Sequence, residues 1–203
     1  MFTGLVSDIG TVVALEPFGD GLRLSINCSY DPNDIAIGAS ISCSGVCLTA
    51  TTCEPADGGA RFSVDVSTET MEKTTLGHWQ VGSRINLERS LRFGDEVGGH
   101  LVSGHVDGVA KIVERRDETS MSFFRFSPPS ELLPLIASKG SVALDGTSLT
   151  VVDAKDTFGV AMIPHTLAVT TWSERQEGDL VNIEADTLAR YVARIAAMQA
   201  LST

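Results

Sequence analysis

The residues that follow Met1 return in the same order about 100 positions later, so the chain of 203 residues is an internal duplication. Thr3, Gly4 and Val6 align with Ser103, Gly104 and Val106. Ser40 and Gly45-Val46-Cys47-Leu48-Thr49 align with Ser141 and Gly146-Thr147-Ser148-Leu149-Thr150. Thr70, Thr74 and Thr75 return as Thr166, Thr170 and Thr171, and Gly82, Asn86 and Glu88 as Gly178, Asn182 and Glu184. The offset drifts from 100 to 101 to 96, as small loop insertions and deletions require. Two copies of one domain follow, each of about 100 residues, a size at which a chain holds its own core. Any site in one copy has a counterpart in the other. Arg92-Phe93-Gly94-Asp95-Glu96-Val97-Gly98-Gly99 interrupts the pattern with glycine and charge. It divides a first domain, residues 1–97, from a second, residues 98–186, and leaves residues 187–203 outside both repeats.

Each copy reads mostly as strand. Leu22, Leu24, Ile26 and Cys28 alternate with Arg23, Ser25 and Asn27, and Phe62, Val64 and Val66 with Ser63 and Asp65, the period of a half-buried antiparallel strand. Residues 84–88 and 180–184 alternate in the same way. Asp31-Pro32 and Ser127-Pro128-Pro129-Ser130 open short helical turns, and a second pair of short helices begins near Thr68 and Thr166. Short strands punctuated by glycine favour a small closed barrel, which leaves no edge unpaired, over a sandwich, which the pattern leaves open. In the last seventeen residues Leu188, Tyr191, Val192, Ile195 and Met198 form one stripe at helical spacing, with Arg190 and Arg194 to one side. Such a helix packs back on its own chain or meets copies of itself, and the 3 and 4 spacing favours the second.

A net charge of −11 repels phosphate backbones and argues against nucleic acid as a partner. The longest apolar run falls far short of a membrane span. The start lacks the basic and apolar regions of a signal peptide, so the expected location is the cytoplasm. Cys28, Cys43, Cys47 and Cys53 all lie in the first copy, with no Cys-x-x-Cys pair and no histidine at ligand spacing, so free thiols are expected and no metal. His100 and His105, five positions apart, would point to opposite faces if carried on a strand.

Five segments, Met1-Phe2-Thr3-Gly4, Gly45-Val46-Cys47-Leu48-Thr49, residues 98–108, Asp145-Gly146-Thr147-Ser148-Leu149-Thr150 and Ile163-Pro164-His165-Thr166-Leu167, together resemble the alpha-type riboflavin synthases. The match runs in order from Met1 to about Arg194. Ser44 departs from the family, standing where many relatives carry asparagine, and its hydroxyl still offers a hydrogen bond. The resemblance implies an all-β fold: two tandem six-stranded Greek-key β-barrels related by duplication, with short helices and a C-terminal helix. It implies a cofactor-independent transferase that dismutates two molecules of 6,7-dimethyl-8-ribityllumazine to riboflavin and 5-amino-6-ribitylaminouracil by moving a four-carbon unit. It further implies a homotrimer with each site between an N-barrel and a neighbour's C-barrel, and lumazine synthase as an associating partner.

Carried over by resemblance, the catalytic candidates are Ser40, Cys47, His105, Asp145, Ser148 and Asp186. Each also has an ordinary structural role: Cys47 as a small core residue, Asp145 in a turn before glycine, Asp186 as a helix cap, and one of the two histidines as structural. Gly4, Leu5 and Val6, with Gly104, His105 and Val106, are expected to pass close to a ring, glycine permitting the approach. Cys47, Leu48 and Thr49, with Lys139, Ser148, Leu149 and Thr150, complete the polar surroundings. Asp65, Val66, Ser67, Thr68, Glu69 and Thr70, and in the other copy Ala161, Met162, Ile163, Pro164, His165 and Thr166, are expected along the pyrimidine edge and the ribityl chain. A non-catalytic antenna-type protein that binds lumazine or flavin is the rival reading, and the polar residues kept in both copies count against it. A flavin reductase lacks a glycine-rich dinucleotide fingerprint here.

Overall fold

In the computed structural model, which describes residues 1–200, each repeat closes six antiparallel strands into a barrel. The first contains β1 (Asp8–Phe18), β2 (Gly21–Cys28), β3 (Ser40–Cys43), β4 (Val46–Ala56), β5 (Gly59–Val66) and β6 (Arg84–Arg89) in the order β1-β2-β5-β4-β3-β6, with β6 returning to β1. The second repeats that order with β7 (Gly108–Asp117), β8 (Ser122–Ser127), β9 (Ser141–Leu144), β10 (Thr147–Ala154), β11 (Phe158–Met162) and β12 (Leu180–Ala185). Even the irregularities are duplicated. The register shifts between Val12 and Ala14 and again between Ile112 and Glu114, and between Ala50 and Thr52 and again between Val151 and Asp153. Each such bulge bends and twists its strand, which helps six strands close.

The alternating apolar residues of β2 and β5 fill the first barrel, where Leu24, Ile26, Phe62 and Val64 are fully buried. Phe126, Phe158 and Trp172 do the same in the second, and the Trp172 indole N–H donates to Thr147 Oγ1 at 3.0 Å. Burying each such side chain contributes about 1.5–3 kcal/mol. The short helices fall where the caps placed them. Asp31 accepts from Asn33 N ahead of the 3-10 turn Pro32–Asp34, and Ser67 accepts from Thr70 N ahead of α1 (Thr68–Lys73). Its counterpart α2 (Pro164–Val169) has no side-chain cap and begins instead with proline, whose missing N–H removes one unpaired donor.

β6 and β12 depart from simple alternation, because Ile85, Asn86, Leu87 and Glu88 are all buried, as are Val181, Asn182, Ile183 and Glu184. On the face opposite the core the asparagines meet the other barrel and the glutamates meet the segment ahead of their own. Asn86 Nδ2 donates to the Asp145 carbonyl (2.9 Å) and its Oδ1 accepts from Thr171 N (2.8 Å). Asn182 mirrors it with the Ser44 carbonyl (2.8 Å) and Thr75 N (2.7 Å). Gly45 and Gly146 face each other across this seam, a Cβ on Gly45 coming within 2.9 Å of Gly146 N. Ser44 and Asp145 hold left-handed backbone at φ 45 and 43, and the Ser44 hydroxyl accepts from Asn86 N as Asp145 Oδ1 accepts from Asn182 N.

The segments ahead of each barrel are exchanged. Phe2 and Val102 form an antiparallel bridge, buried with Ala143 and flanked by Cys47. Beyond it the first segment crosses to the second barrel, Gly4 O accepting from Ser148 N, and the later one crosses to the first, Gly104 O accepting from Cys47 N, both at 2.8 Å. α3 (Thr187–Ala200) follows β12, with Leu188, Tyr191, Val192 and Ile195 58–70% exposed. The predicted helix extends to residue 203, and its last three residues lie outside those described.

Candidate functional site

The exchange brings residues of both repeats to each Leu-Thr motif. On the first barrel, Cys47 stands at the head of an open cleft of about 240 Å³ lined by Val46, Glu69, Thr70, Lys73 and Thr74 of its own barrel and by Gly104, His105 and Val106 of the other repeat. Strand period turns Val46 and Leu48 inward and leaves Cys47 and Thr49 outward. Only glycine fits at the crossing: φ is +78 at Gly104, and a Cβ there would lie 2.6 Å from Cys47 Cβ. Gly4 is the counterpart, with φ +75 and a Cβ position 2.5 Å from Ser148 Cβ.

A buried glutamate holds each crossing segment. Glu88 accepts from Thr3 N, Thr3 Oγ1 and Gly4 N at 2.7, 2.7 and 2.9 Å. Glu184 accepts from Ser103 N, Gly104 N and His105 N at 2.7, 2.9 and 3.0 Å. Burial pushes both carboxyls up from the usual range, and the amide donors pull them back.

The two copies of the site differ in chemistry. Near Ser148, His100 Nδ1 lies 2.7 Å from Ser148 Oγ, one of the two atoms carrying the shared proton. Burial lowers the His100 pKa, and the negative charge of Asp186 opposes that shift. Asp186 also caps α3, its Oδ1 accepting from Leu188 N. In the first copy Cys47 replaces Ser148 and Ser90 replaces Asp186, the Ser90 hydroxyl donating to the Ser40 carbonyl (2.6 Å). At the Cys47 cleft the neighbouring imidazole is instead that of His105, which reaches it from the other repeat.

The lumazine binding domain family matches residues 3–90 and again 103–186. A riboflavin synthase of Brucella abortus (strain 2308) is 55% identical over 202 residues, covering 98% of this chain and all of that protein. The chain belongs to the riboflavin synthase family. The riboflavin synthase of Bacillus subtilis (strain 168) is 37% identical over 96% of this chain and 89% of its own. Among solved structures, LumP complexed with riboflavin superposes with a TM-score of 0.79 at 22% identity, over 91% of this chain and 99% of that one, a likeness of fold.

Several residues carried over from the riboflavin synthase resemblance lie apart from the cleft. Asp145 is 1% exposed in the seam, with one oxygen on Arg175 Nη2 (2.6 Å) and the other on Asn182 N (2.8 Å), so its carboxylate is engaged structurally. Burial raises its pKa, and Arg175 is the largest opposing influence. Leu48, Leu149, Val66 and Met162 point into the barrel cores, as strand period dictates, and offer a ligand backbone alone. Asp65 is paired with Arg23 across β2 and β5 (2.6 Å). Ala161 is half-buried on β11, while Thr68, Ile163, Pro164 and His165 are exposed around the starts of the two helices. Thr70 and Thr166 accept from Thr74 and Thr170 hydroxyls through their carbonyls. Thr150, like Thr49, is exposed, and Ser40 and Leu5 lie on other clefts of the first copy's rim. Lys139 is exposed in left-handed backbone (φ 68) where the other copy has Gly38 (φ 88).

His105 is exposed between the Cys47 cleft and a second cleft against α3, where Arg190 pairs with Asp107. Residues 98–107 form a crossing segment, with one bridge at Val102, and no strand, so the opposite-faces argument for His100 and His105 does not apply. The residue that sequence reasoning undervalued is His100. Its signal was its place in the linker next to Gly98-Gly99, which a strand-based reading could not bring to Ser148. The four thiols are free, and among the described residues no group of three or more His, Cys, Asp or Glu is arranged to hold a metal ion. Nor, among them, is any helix long and apolar enough to cross a membrane.

Proposed function

We propose that the chain is the riboflavin synthase its full-length relationship indicates, and that its two lumazine sites are the duplicated crossings at Cys47 and at Ser148. The activity is the dismutation of two 6,7-dimethyl-8-ribityllumazine molecules into riboflavin and 5-amino-6-ribitylaminouracil. The observation that carries it is the 55% identity to the Brucella enzyme over both repeats, together with polar residues kept at both crossings. Two identical substrates call for two similar pockets, and two copies of one barrel supply them.

In this reading the first site takes its ring between Gly104-His105-Val106 and the Cys47 face, with Glu69, Thr70 and Lys73 toward the ribityl chain. The second uses Gly4-Leu5-Val6, Ser148, Lys139 and residues 161–166. The reaction needs a proton removed from a ring methyl, a nucleophile added to the partner ring, and elimination from the joined adduct. Proton handling falls to the Ser148 crossing, where His100, Ser148 and Asp186 gather, while Cys47 equips the first site with His105 at its rim and Ser40 and Ser90 on the neighbouring cleft. Imidazole suits transfer near neutral pH. Holding the rings in register supplies several kcal/mol more. No metal or cofactor enters, because the oxidation of one substrate is the reduction of the other.

The reading extends to assembly. A homotrimer joined through the exposed stripe of α3 sets an N-barrel site against a neighbour's C-barrel site in the cytoplasm, and lumazine synthase is the candidate for an associating partner. The test is to incubate the purified protein with the lumazine alone in the presence of a chelator and follow riboflavin absorbance. Riboflavin and the pyrimidine should appear in equal amounts. A lumazine bound tightly but never consumed would make the protein a binder and end the enzymatic reading.

A further inference from the structure

The geometry points to Glu184 and Glu88 as crossed positioning residues, each carboxylate in one barrel setting the ligand cleft of the other. The inference rests on the assignment of the Cys47 cleft to a lumazine or flavin ring. Glu184 belongs to β12 and grips Ser103, Gly104 and His105, and the last two of these, with Val106, form the far wall of the cleft on the first barrel. That segment carries the Gly104 carbonyl that receives Cys47 N, so the carboxylate, the crossing backbone and β4 form one continuous chain of hydrogen bonds. Glu88 on β6 holds Thr3 and Gly4 in the same way, and Gly4 O receives Ser148 N of the second barrel. Among the described residues, these carboxylates are the charged groups that hydrogen-bond the crossing amides. An ionised carboxylate presents acceptors only, so it matches a row of backbone donors that an amide side chain cannot match in full.

Cys47 makes the wiring measurable. It is the half-buried thiol inside the cleft, Cys28 and Cys43 are buried, and Cys53 is removed as a competitor in a Cys53→Ala background. The rate of Cys47 alkylation by iodoacetamide is followed by mass spectrometry against riboflavin concentration, in the parent, Glu184→Gln and Glu88→Gln. Riboflavin should protect Cys47 in the parent. In Glu184→Gln, half-protection should need on the order of 10-fold more riboflavin, the effect of a charge-assisted contact replaced by a mismatched one. In Glu88→Gln, which alters only the Ser148 crossing, the concentration should stay within about twofold. Glu184→Asp keeps the charge while drawing it back by one methylene, and a smaller shift in the same direction supports the wiring if the glutamine variant folds poorly.

Unaltered protection in both Glu184 variants overturns the wiring and leaves the cleft assignment standing. An equal loss in Glu88→Gln, or alkylation of Cys28 and Cys43 alongside Cys47, would show general loosening and overturn it as well. A parent in which riboflavin protects nothing at Cys47 removes the cleft assignment and the wiring together.

Discussion

Replacing Asn182 by alanine should cost the protein more stability than its small size suggests. The side chain is 1% exposed and serves two backbone groups of the other repeat, donating to the Ser44 carbonyl at 2.8 Å and accepting from Thr75 N at 2.7 Å. Alanine leaves both groups buried without partners, at about 1–3 kcal/mol each. Water admitted by the truncation recovers part of this, so the expected loss is about 3 kcal/mol, a large share of a typical total of roughly 5–15 kcal/mol. Asn182→Asp keeps the shape and turns an acceptor toward the Ser44 carbonyl, so it should be no milder. The assay is guanidinium unfolding of the parent, Asn182→Ala, Asn86→Ala and the double variant, all at one chain concentration because any assembly shifts the midpoint. Asn86 should behave as its mirror, since it serves Asp145 O and Thr171 N. A loss below about 0.5 kcal/mol for Asn182→Ala, the scale of an ordinary surface change, would refute the seam as the structural tie between the repeats.

Three further outcomes are expected. Because burial lowers the His100 pKa below 6.5, the unfolded chain binds that proton first, so its contribution to stability should rise with pH between the lowered folded value and 6.5. The raised carboxyls of Glu88, Glu184 and Asp145 contribute the opposite slope, so the His100 contribution is read as the difference in denaturation midpoint between the parent and His100→Gln, which should grow in favour of the parent as pH rises through that window. Arg175→Ala, which strands the buried Asp145 carboxylate, should destabilise the protein more than Asp145→Asn does, and Asp145→Asn should lower the unfolding midpoint while leaving turnover within about 10-fold, less than the loss expected for a positioned acid or base; a turnover loss above that with an unchanged midpoint would return Asp145 to catalysis. Deleting residues 188–203 should release monomers with both barrels folded and little activity, read by light scattering and riboflavin formation on one sample, and a fully active monomer at low concentration would refute the between-chain site.

Much of the fold was legible because duplication and period-2 alternation are local signals. Leu24 and Ile26, or Phe62 and Val64, announce an inward face whatever lies outside the barrel. The Asp31 cap and the proline at the start of α2 are likewise written in adjacent residues. What the sequence could not disclose were pairings between residues distant along the chain, from Asp145 with Arg175, 30 positions apart, to Thr3 with Glu88, 85 apart. Asn86 reads as the polar face of a strand until the other repeat covers it, and Glu88 until the segment ahead of its own barrel folds over it. Asp145 carries the motif of the second copy, yet its carboxylate is committed to Arg175 and the backbone of β12, a geometry no spacing rule predicts. His100 was discounted by treating residues 98–107 as a strand, whereas the exchanged segment turns it onto Ser148.

The exchange of crossing segments changes what duplication means for the chemistry. Two barrels merely joined in tandem would carry two independent pockets, free to diverge or decay separately. Here Gly4 packs on Ser148 and Gly104 on Cys47 so closely that no side chain fits at either place, and each pocket therefore depends on both repeats. Selection on either pocket then acts on the whole chain. Under that constraint the copies keep their glycines, their asparagines and their clamping glutamates, and differ at the positions proposed to face a ligand: Cys47 against Ser148, Ser90 against Asp186, and His105 at one crossing against His100 at the other. A reaction that gives two identical molecules opposite fates needs that combination, common binding from the shared framework and distinct roles from the few residues that differ.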